Sequence, residues 1–156
     1  MAKIISITYK PLDRNNDKSA SGFNRIAVDE AALITGYGIQ GDRKGGHPTR
    51  QLNILSTHTL DSLGADGYAI SAGAIGEQMV IGDVDVDKLP IGTHLLLGDS
   101  AIIEITSHRE GCLKLDRAHG KDTVNDERPL GVMAKVIQDG HICIGDAVKV
   151  LMGEVV

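Results

Sequence analysis

Nineteen glycines interrupt this 156-residue chain so often that no long amphipathic helix can run between them. The apolar stretches are short, and the clearest of them alternate rather than repeat every three or four residues. Such a chain must build its core from many short elements joined by tight turns. Aromatic residues are few, with one Phe, three Tyr and no Trp. The core therefore falls to Ile, Val, Leu and Ala, and β-branched side chains of this kind pack well on pleated sheets. The length fits one ordinary domain, residues 1–156, large enough to bury a core without disulfide or metal staples.

Alternation predicts strands over residues 3–9, 31–35, 51–55, 79–81, 94–97, 101–106, 132–137 and 147–151. Residues 13–22 are polar and read as a loop. Ser56 is a good N-cap for a short helix over 57–63, ended by Gly64. Asp139-Gly140 suits a hairpin turn. Strands do not alternate with long helices, which argues against a doubly wound parallel sheet. The expected fold is mainly β: a closed or partly closed antiparallel β-barrel with a few short helices, since closure removes exposed edges.

The net charge of -5 gives no general attraction for a nucleic-acid backbone, so no nucleic-acid partner is expected. Small anions remain open wherever basic residues cluster. The two cysteines, Cys112 and Cys143, form no Cys-x-x-Cys pair and no disulfide framework, which suits a reducing compartment. The N-terminal residues read as a strand rather than a signal peptide, and no apolar run approaches the roughly 18 residues that span a bilayer. A cytoplasmic location without a membrane anchor is expected.

Three patterns invite a site and fail. Gly36-Tyr37-Gly38-Ile39-Gln40-Gly41 fits G-x-G-x-x-G, but a dinucleotide site needs a helix to begin there, and Asp-Arg-Lys-Gly-Gly-His-Pro follows. Chance or turn chemistry accounts for it. Asp13-x-Asn15-x-Asp17 opens like a calcium loop, yet Lys18 stands where glycine is needed and Asn24 where a bidentate Glu belongs. Asp83, Asp85 and Asp87 fail likewise, with Lys88 and His94 at those places, and both stretches read as solvated turns. The six histidines are scattered and Cys112 has no thiol neighbour, which argues against structural zinc.

Two segments run against the acidic balance. Residues 41–50 hold Arg43, Lys44, His47 and Arg50 against Asp42, and residues 108–121 hold His108, Arg109, Lys114, Arg117 and Lys121 against Glu110 and Asp116. Each follows a predicted strand, where loops on a rigid sheet carry binding groups. Gly41, Gly45, Gly46 and Gly111 let backbone N–H groups approach a ligand closely. Together they suggest a pocket for an anion such as phosphate, with Arg43, Arg50 and Arg109 as its cations. Arg117 and Lys121 read as ordinary surface charge. Arg109, Lys114 or a charged His108 would favour the thiolate of Cys112. A thiolate serves as nucleophile, sulfur carrier or soft-metal ligand; the alternative is a small buried thiol that fills space. Cys143, in Gly-His-Ile-Cys-Ile-Gly beside a final hairpin, reads as packing.

At this point the sequence resembles the MOSC family, named for the C-terminal domain of molybdenum cofactor sulfurase. Gly38-Ile39-Gln40-Gly41-Asp42-Arg43-Lys44-Gly45-Gly46 resembles its Gly-Ile-x-Gly-Asp-Arg-His segment, and Arg50-Gln51 with Leu55-Ser56 its Arg-Gln strand and helix cap. Gly73-x-x-Gly76-Glu77 resembles its Gly-x-x-Gly-Glu-Asn turn, and Leu89-Pro90-x-Gly92-Thr93 the approach to the next strand. Arg109-x-x-Cys112 resembles its hallmark Arg-x-x-Cys. Gly131-Val132-x-Ala134-Lys135-Val136, then Gly140 and Gly145-Asp146-x-Val148, resembles the closing hairpin. Lys44 stands where His is common, and Gln78 where Asn is common.

The resemblance implies a β-barrel with a few short helices and binding of the molybdenum cofactor (molybdopterin), a small anionic ligand. Pyridoxal phosphate is a further family-level possibility. Cys112 would be the catalytic thiolate bound to molybdenum or, alternatively, a persulfide carrier. Arg43, Arg50 and Arg109 would hold the cofactor's phosphate and pterin, and Lys44, Glu77 and His108 complete the implied cofactor-binding set. Some members reduce N-hydroxylated bases. The resemblance includes neither the extra N-terminal barrel domain of larger members nor an electron-transfer domain, so a reductase would need an electron-donor protein. Three readings stay open: a molybdenum-dependent oxidoreductase, a carrier of cofactor or sulfur, and a non-catalytic interaction domain.

Overall fold

Strand β1 (Lys3–Tyr9) shows how this chain turns a simple alternation into a core. Both Ile4 and Ile7 are fully buried while Ile5 is exposed. A strict two-residue period cannot place Ile4 and Ile7 on one face. A register shift between Ile4 and Ser6 in the pairing with the neighbouring strand supplies the extra residue.

The computed structural model describes residues 1–12, 25–68, 70–110 and 129–151, with side chains omitted at 110 and 129. After β1 come β2 (Ile26–Val28), β3 (Glu30–Ile34), β4 (Gly38–Ile39), β5 (Leu52–Ser56) and helix α1 (Thr57–Ala65). Then follow β6 (Met79–Gly82), a 3-10 turn (Val86–Lys88), β7 (His94–Leu97), β8 (Ala101–Glu110), β9 (Pro129–Gln138), β10 (Gly140–Cys143) and β11 (Val148–Leu151). Eight strands form one sheet in the order β11-β7-β8-β9-β5-β6-β1-β2, and β10-β3-β4 form a second. Every pair is antiparallel except β5–β6, which α1 connects as a parallel crossover. The two ends of the large sheet curl toward each other. A bridge pairs Lys3 with Ala147, and Val148 N donates to Ala2 O at 2.9 Å. The sheet is thus a half-barrel, mainly β as expected from the sequence.

The main core lies inside the curl and takes Leu52 and Ile54 from β5, Met79 and Ile81 from β6, and Ile103, Ile105, Val132, Ala134 and Val136 from β8 and β9. A smaller cluster of Leu55, Val80, Leu130, Leu63, Tyr68 and Ile75 packs under α1. Strands β5 and β6 are therefore buried on both faces, as parallel strands covered by a helix usually are.

Ser56 caps α1, its hydroxyl accepting from Thr59 N, as expected. The helix does not end at Gly64. Gly67, in the left-handed region at φ 91°, ends it in a Schellman arrangement, with Gly67 N donating to Gly64 O and Tyr68 N to Leu63 O.

Asp139-Gly140 is not a hairpin turn. Strand β10 leaves the large sheet and pairs with β3, while β11 pairs with β7, so the described residues 129–151 form no closing hairpin either. Gly140 is needed for a close crossing, because a side chain there would begin 2.4 Å from Ala101 N. Asp87 is also no solvated turn residue: its carboxylate accepts from Gly131 N at 2.8 Å and from the Thr59 hydroxyl, bracing α1 to β9. The G-x-G-x-x-G stretch is turn chemistry, with Gly36, Gly38 and Gly41 at φ 77°, 117° and 86° and strand β5, not a helix, as the next element.

Candidate functional site

The turn over 73–77 is built around its own acid. Gly73 and Gly76 take positive φ, which lets successive N–H groups converge. Glu77 Oε2 accepts from Gly73 N at 2.6 Å, and Oε1 from Ile75 N at 3.1 Å. The Glu77 side chain is fully buried. Burial pushes its carboxyl pKa up, and the backbone N–H bonds and Arg25 pull it partly back. Ile75 anchors the turn in the core under α1, and the Thr8 hydroxyl donates to Glu77 O at 2.6 Å, tying the turn to β1.

Arg109 reaches the same turn from the end of β8. Register shifts between Ile105 and Ser107 and between His108 and Glu110 bracket this part of the strand. Such bulges re-aim side chains. Arg109 Nη1 donates to Ile75 O at 3.0 Å, so one residue of the turn meets Arg109 through its carbonyl and Glu77 through its N–H.

A second buried acid, Asp42, fastens the neighbouring loop. Its Oδ1 accepts from Lys10 N at 3.0 Å and Lys44 N at 3.3 Å, and its Oδ2 from Gln78 Nε2 at 3.0 Å. Gln78 also donates to Gln51 O at 3.3 Å and accepts from Asn53 N at 2.8 Å. Arg43 is held through its backbone N–H on Lys10 O at 2.7 Å and its Nε on Pro11 O at 3.1 Å. The loop bearing Arg43 and the turn bearing Glu77 are thereby parts of one polar network.

Of the residues expected at the site, the structure brings together Glu77, Arg109 and the Arg43 loop. Lys44 is exposed and joins the network through its backbone. Arg50 is exposed, and its backbone N–H donates to His47 Nδ1 at 3.1 Å. His47 accepts likewise from Thr49 N, so its ring shapes this turn. His108 is exposed and turns away from the network to donate from Nε2 to Leu89 O at 2.8 Å. Cys112, with Lys114, Arg117 and Lys121, lies outside the described residues. Cys143 is a half-buried free thiol 3.9 Å from His141 Nδ1. Burial first, then Asp146 and Glu30, push its pKa up, which suits packing rather than nucleophilic chemistry.

Sequence reasoning missed two contributors. Asn53 is 6% exposed, and its Nδ2 donates to Gly76 O at 3.4 Å while its Oδ1 is buried without a partner among the described residues. Arg25, just before β2, packs its side chain over Gly73. Among the described residues, no group of three or more His, Cys, Asp or Glu side chains is placed to hold a metal ion.

The profile of the MOSC domain matches residues 41–149. The chain belongs to the MOSC family. That family is associated with binding of the molybdenum cofactor. The MOSC domain is similar to a protein of Gibberella moniliformis (strain M3125 / FGSC 7600) named "Reductase", with 31% identity over 84 residues, 51% of this chain and 15% of that protein. It therefore spans only a small part of that relative's length. Its fold is that of YiiM from Escherichia coli, with a TM-score of 0.69 at 18% identity over 97% of this chain and 71% of the other. It is also that of the YUAD protein from Bacillus subtilis, with a TM-score of 0.72 at 17% identity over 96% of each chain. No helix among the described residues of the MOSC domain is long and apolar enough to cross a membrane.

Proposed function

We propose that this MOSC domain binds the molybdenum cofactor beside the 73–77 turn and reduces N-hydroxylated compounds with it, Cys112 being the thiolate ligand to the metal. The observation that carries this reading is the meeting of three separate sequence segments at one turn. Arg109 and Glu77 both bond to residue 75, and Gln78 ties the turn to Asp42, the neighbour of Arg43. Cys112 follows Arg109 by three residues, so covalent reach keeps the two Cα atoms within about 11 Å. The donor set suits an anionic pterin. Guanidinium groups bind phosphate through directed N–H donors. Asn53 Oδ1, buried and unpartnered among the described residues, is an acceptor for a ring N–H. The family's cofactor and the reductase relative support the same reading.

When bound, the cofactor supplies the two-electron redox chemistry. The chain's own residues orient and neutralise it: Arg109 from the end of β8, and Arg43 from a loop that Asp42 holds rigid. Reducing N–OH to N–H consumes two electrons and two protons and releases water. The two electrons come from an electron-transfer protein or domain.

Protein made in a molybdenum-replete host, analysed for metal and pterin beside Cys112→Ser and Cys143→Ser, tests the reading. Wild type and Cys143→Ser should carry molybdenum, and Cys112→Ser should lose most of it. Equal loading of Cys112→Ser refutes the ligand assignment. A fully loaded enzyme that fails to reduce an N-hydroxyamidine with reduced methyl viologen as donor refutes the reaction.

A further inference from the structure

Among the described residues, this network leaves two nitrogens of Arg25 without an acceptor. Arg25 Nε and Nη1 are both buried, and neither has a hydrogen-bond partner among the described residues. Its Cβ and Cδ lie 3.1 and 3.3 Å from where a side chain on Gly73 would begin, so the glycine makes room for it. The carboxylates that attract it, Asp42 and Glu77, already accept from Lys10 N, Lys44 N and Gln78 Nε2, and from Gly73 N and Ile75 N. They balance its charge at a distance but accept no bond from it. Burial and the like charge of Arg109 both disfavour this guanidinium. A buried charged donor left without an acceptor is costly, and native proteins rarely keep one without a use.

We infer that Arg25 is an anion-contacting residue that holds an oxyanion group against the 73–77 turn. Two separate nitrogens in need of acceptors select a group with several oxygens, phosphate-like, over a single-atom halide. The inference rests on the reading above only for the identity of the group, which is then the phosphate of the cofactor.

The test is a titration of cofactor-free protein with inorganic phosphate at constant ionic strength, read as melting temperature. Wild type, Arg25→Gln, Arg25→Lys and, as a distant charge control, Lys149→Gln are compared. Phosphate should stabilise wild type and Lys149→Gln in a saturable way. Arg25→Gln should melt cooperatively, at or above wild type without phosphate, and lose affinity for phosphate at least tenfold. Arg25→Lys keeps the charge but not the fork, and should also weaken binding, which secures the test if the Gln variant fails to fold. Absence of a saturable phosphate effect in wild type, or an unchanged one in the Arg25 variants, overturns the inference. In protein from the molybdenum-replete host, loss of pterin from Arg25→Gln identifies the group as the cofactor's phosphate. Full pterin with lost phosphate binding overturns that identity and leaves a free oxyanion as the occupant. Wild type devoid of pterin refutes the cofactor reading alone, and the phosphate titration still decides Arg25.

Discussion

Glu77 closes its own turn, and it responds to pH with the opposite sign to Asp139, because burial raises the Glu77 pKa whereas hydrogen bonds from Thr35 lower that of the exposed Asp139. Replacing Glu77 by Ala strands the N–H groups of Gly73 and Ile75 in a buried place, at about 1–3 kcal/mol for each. Urea unfolding of Glu77→Ala should therefore show a loss of about 3 kcal/mol, and an unchanged midpoint would mean that the turn does not need its acid. The raised folded pKa makes Glu77 most favourable to stability below the ordinary carboxylate range, and that contribution is lost as pH rises through the raised value. The stability of wild type relative to Glu77→Gln should fall across that window in unfolding curves taken at several pH values. Asp139 is the reverse case. The Thr35 hydroxyl and then its backbone N–H, 2.6 Å from Oδ1, hold the Asp139 carboxyl below its usual range. Its contribution is present above the ordinary value and is lost as pH falls through the depressed one. An NMR titration should place its midpoint below that of a free aspartate. Glu77, Arg43 and Arg109 stand out in the sequence because each sits in a motif, and the structure joins Glu77, Arg109 and the Arg43 loop in one network. Arg25 does not stand out: Asn24-Arg25-Ile26 carries no pattern, and its burial depends on packing against Gly73, far away in the chain.

Glycines set the elements where one strand presses on another. A side chain on Gly131 in β9 would begin 2.1 Å from Ile54 O and 2.7 Å from Leu55 Cδ2, at φ 89°. On Gly92 it would meet nothing within 4 Å, though φ is 94° there too. Gly131→Ala must force β9 away from β5 and should cost several times the roughly 1 kcal/mol expected of Gly92→Ala from its backbone alone. Chemical denaturation of the two variants checks the ratio, and equal losses would show that β9 yields freely. Strong alternation made β1, β7 and the middle of β8 and β9 readable. The polar ends of β8, through His108 and Arg109, did not look like strand, because only their pairing with β9 extends them. β2 was missed for a similar reason: three residues on an edge bury too little to leave a pattern. Asp139-Gly140 carries the turn residues of a hairpin, but pairing of β10 with β3 overrides that local preference.

At the scale of the molecule, the parallel β5–β6 pair is the most enclosed part of the fold, with the curled sheet on one face and α1 on the other. Its amides should exchange with solvent most slowly, and those of the edge strand β2 far faster, in native-state hydrogen exchange. Comparable rates would deny that the pair is the stable centre. The bridge between Lys3 and Ala147 has a further consequence for biosynthesis. Strand β1 leaves the ribosome long before the stretch that seals its outer margin, and so the nascent chain carries an open rim until Ala147 has been made. Contacts this distant in sequence also slow the final step of folding. A chaperone that shields that rim would raise the yield of folded protein, and a stall just short of residue 147 would expose it to self-association.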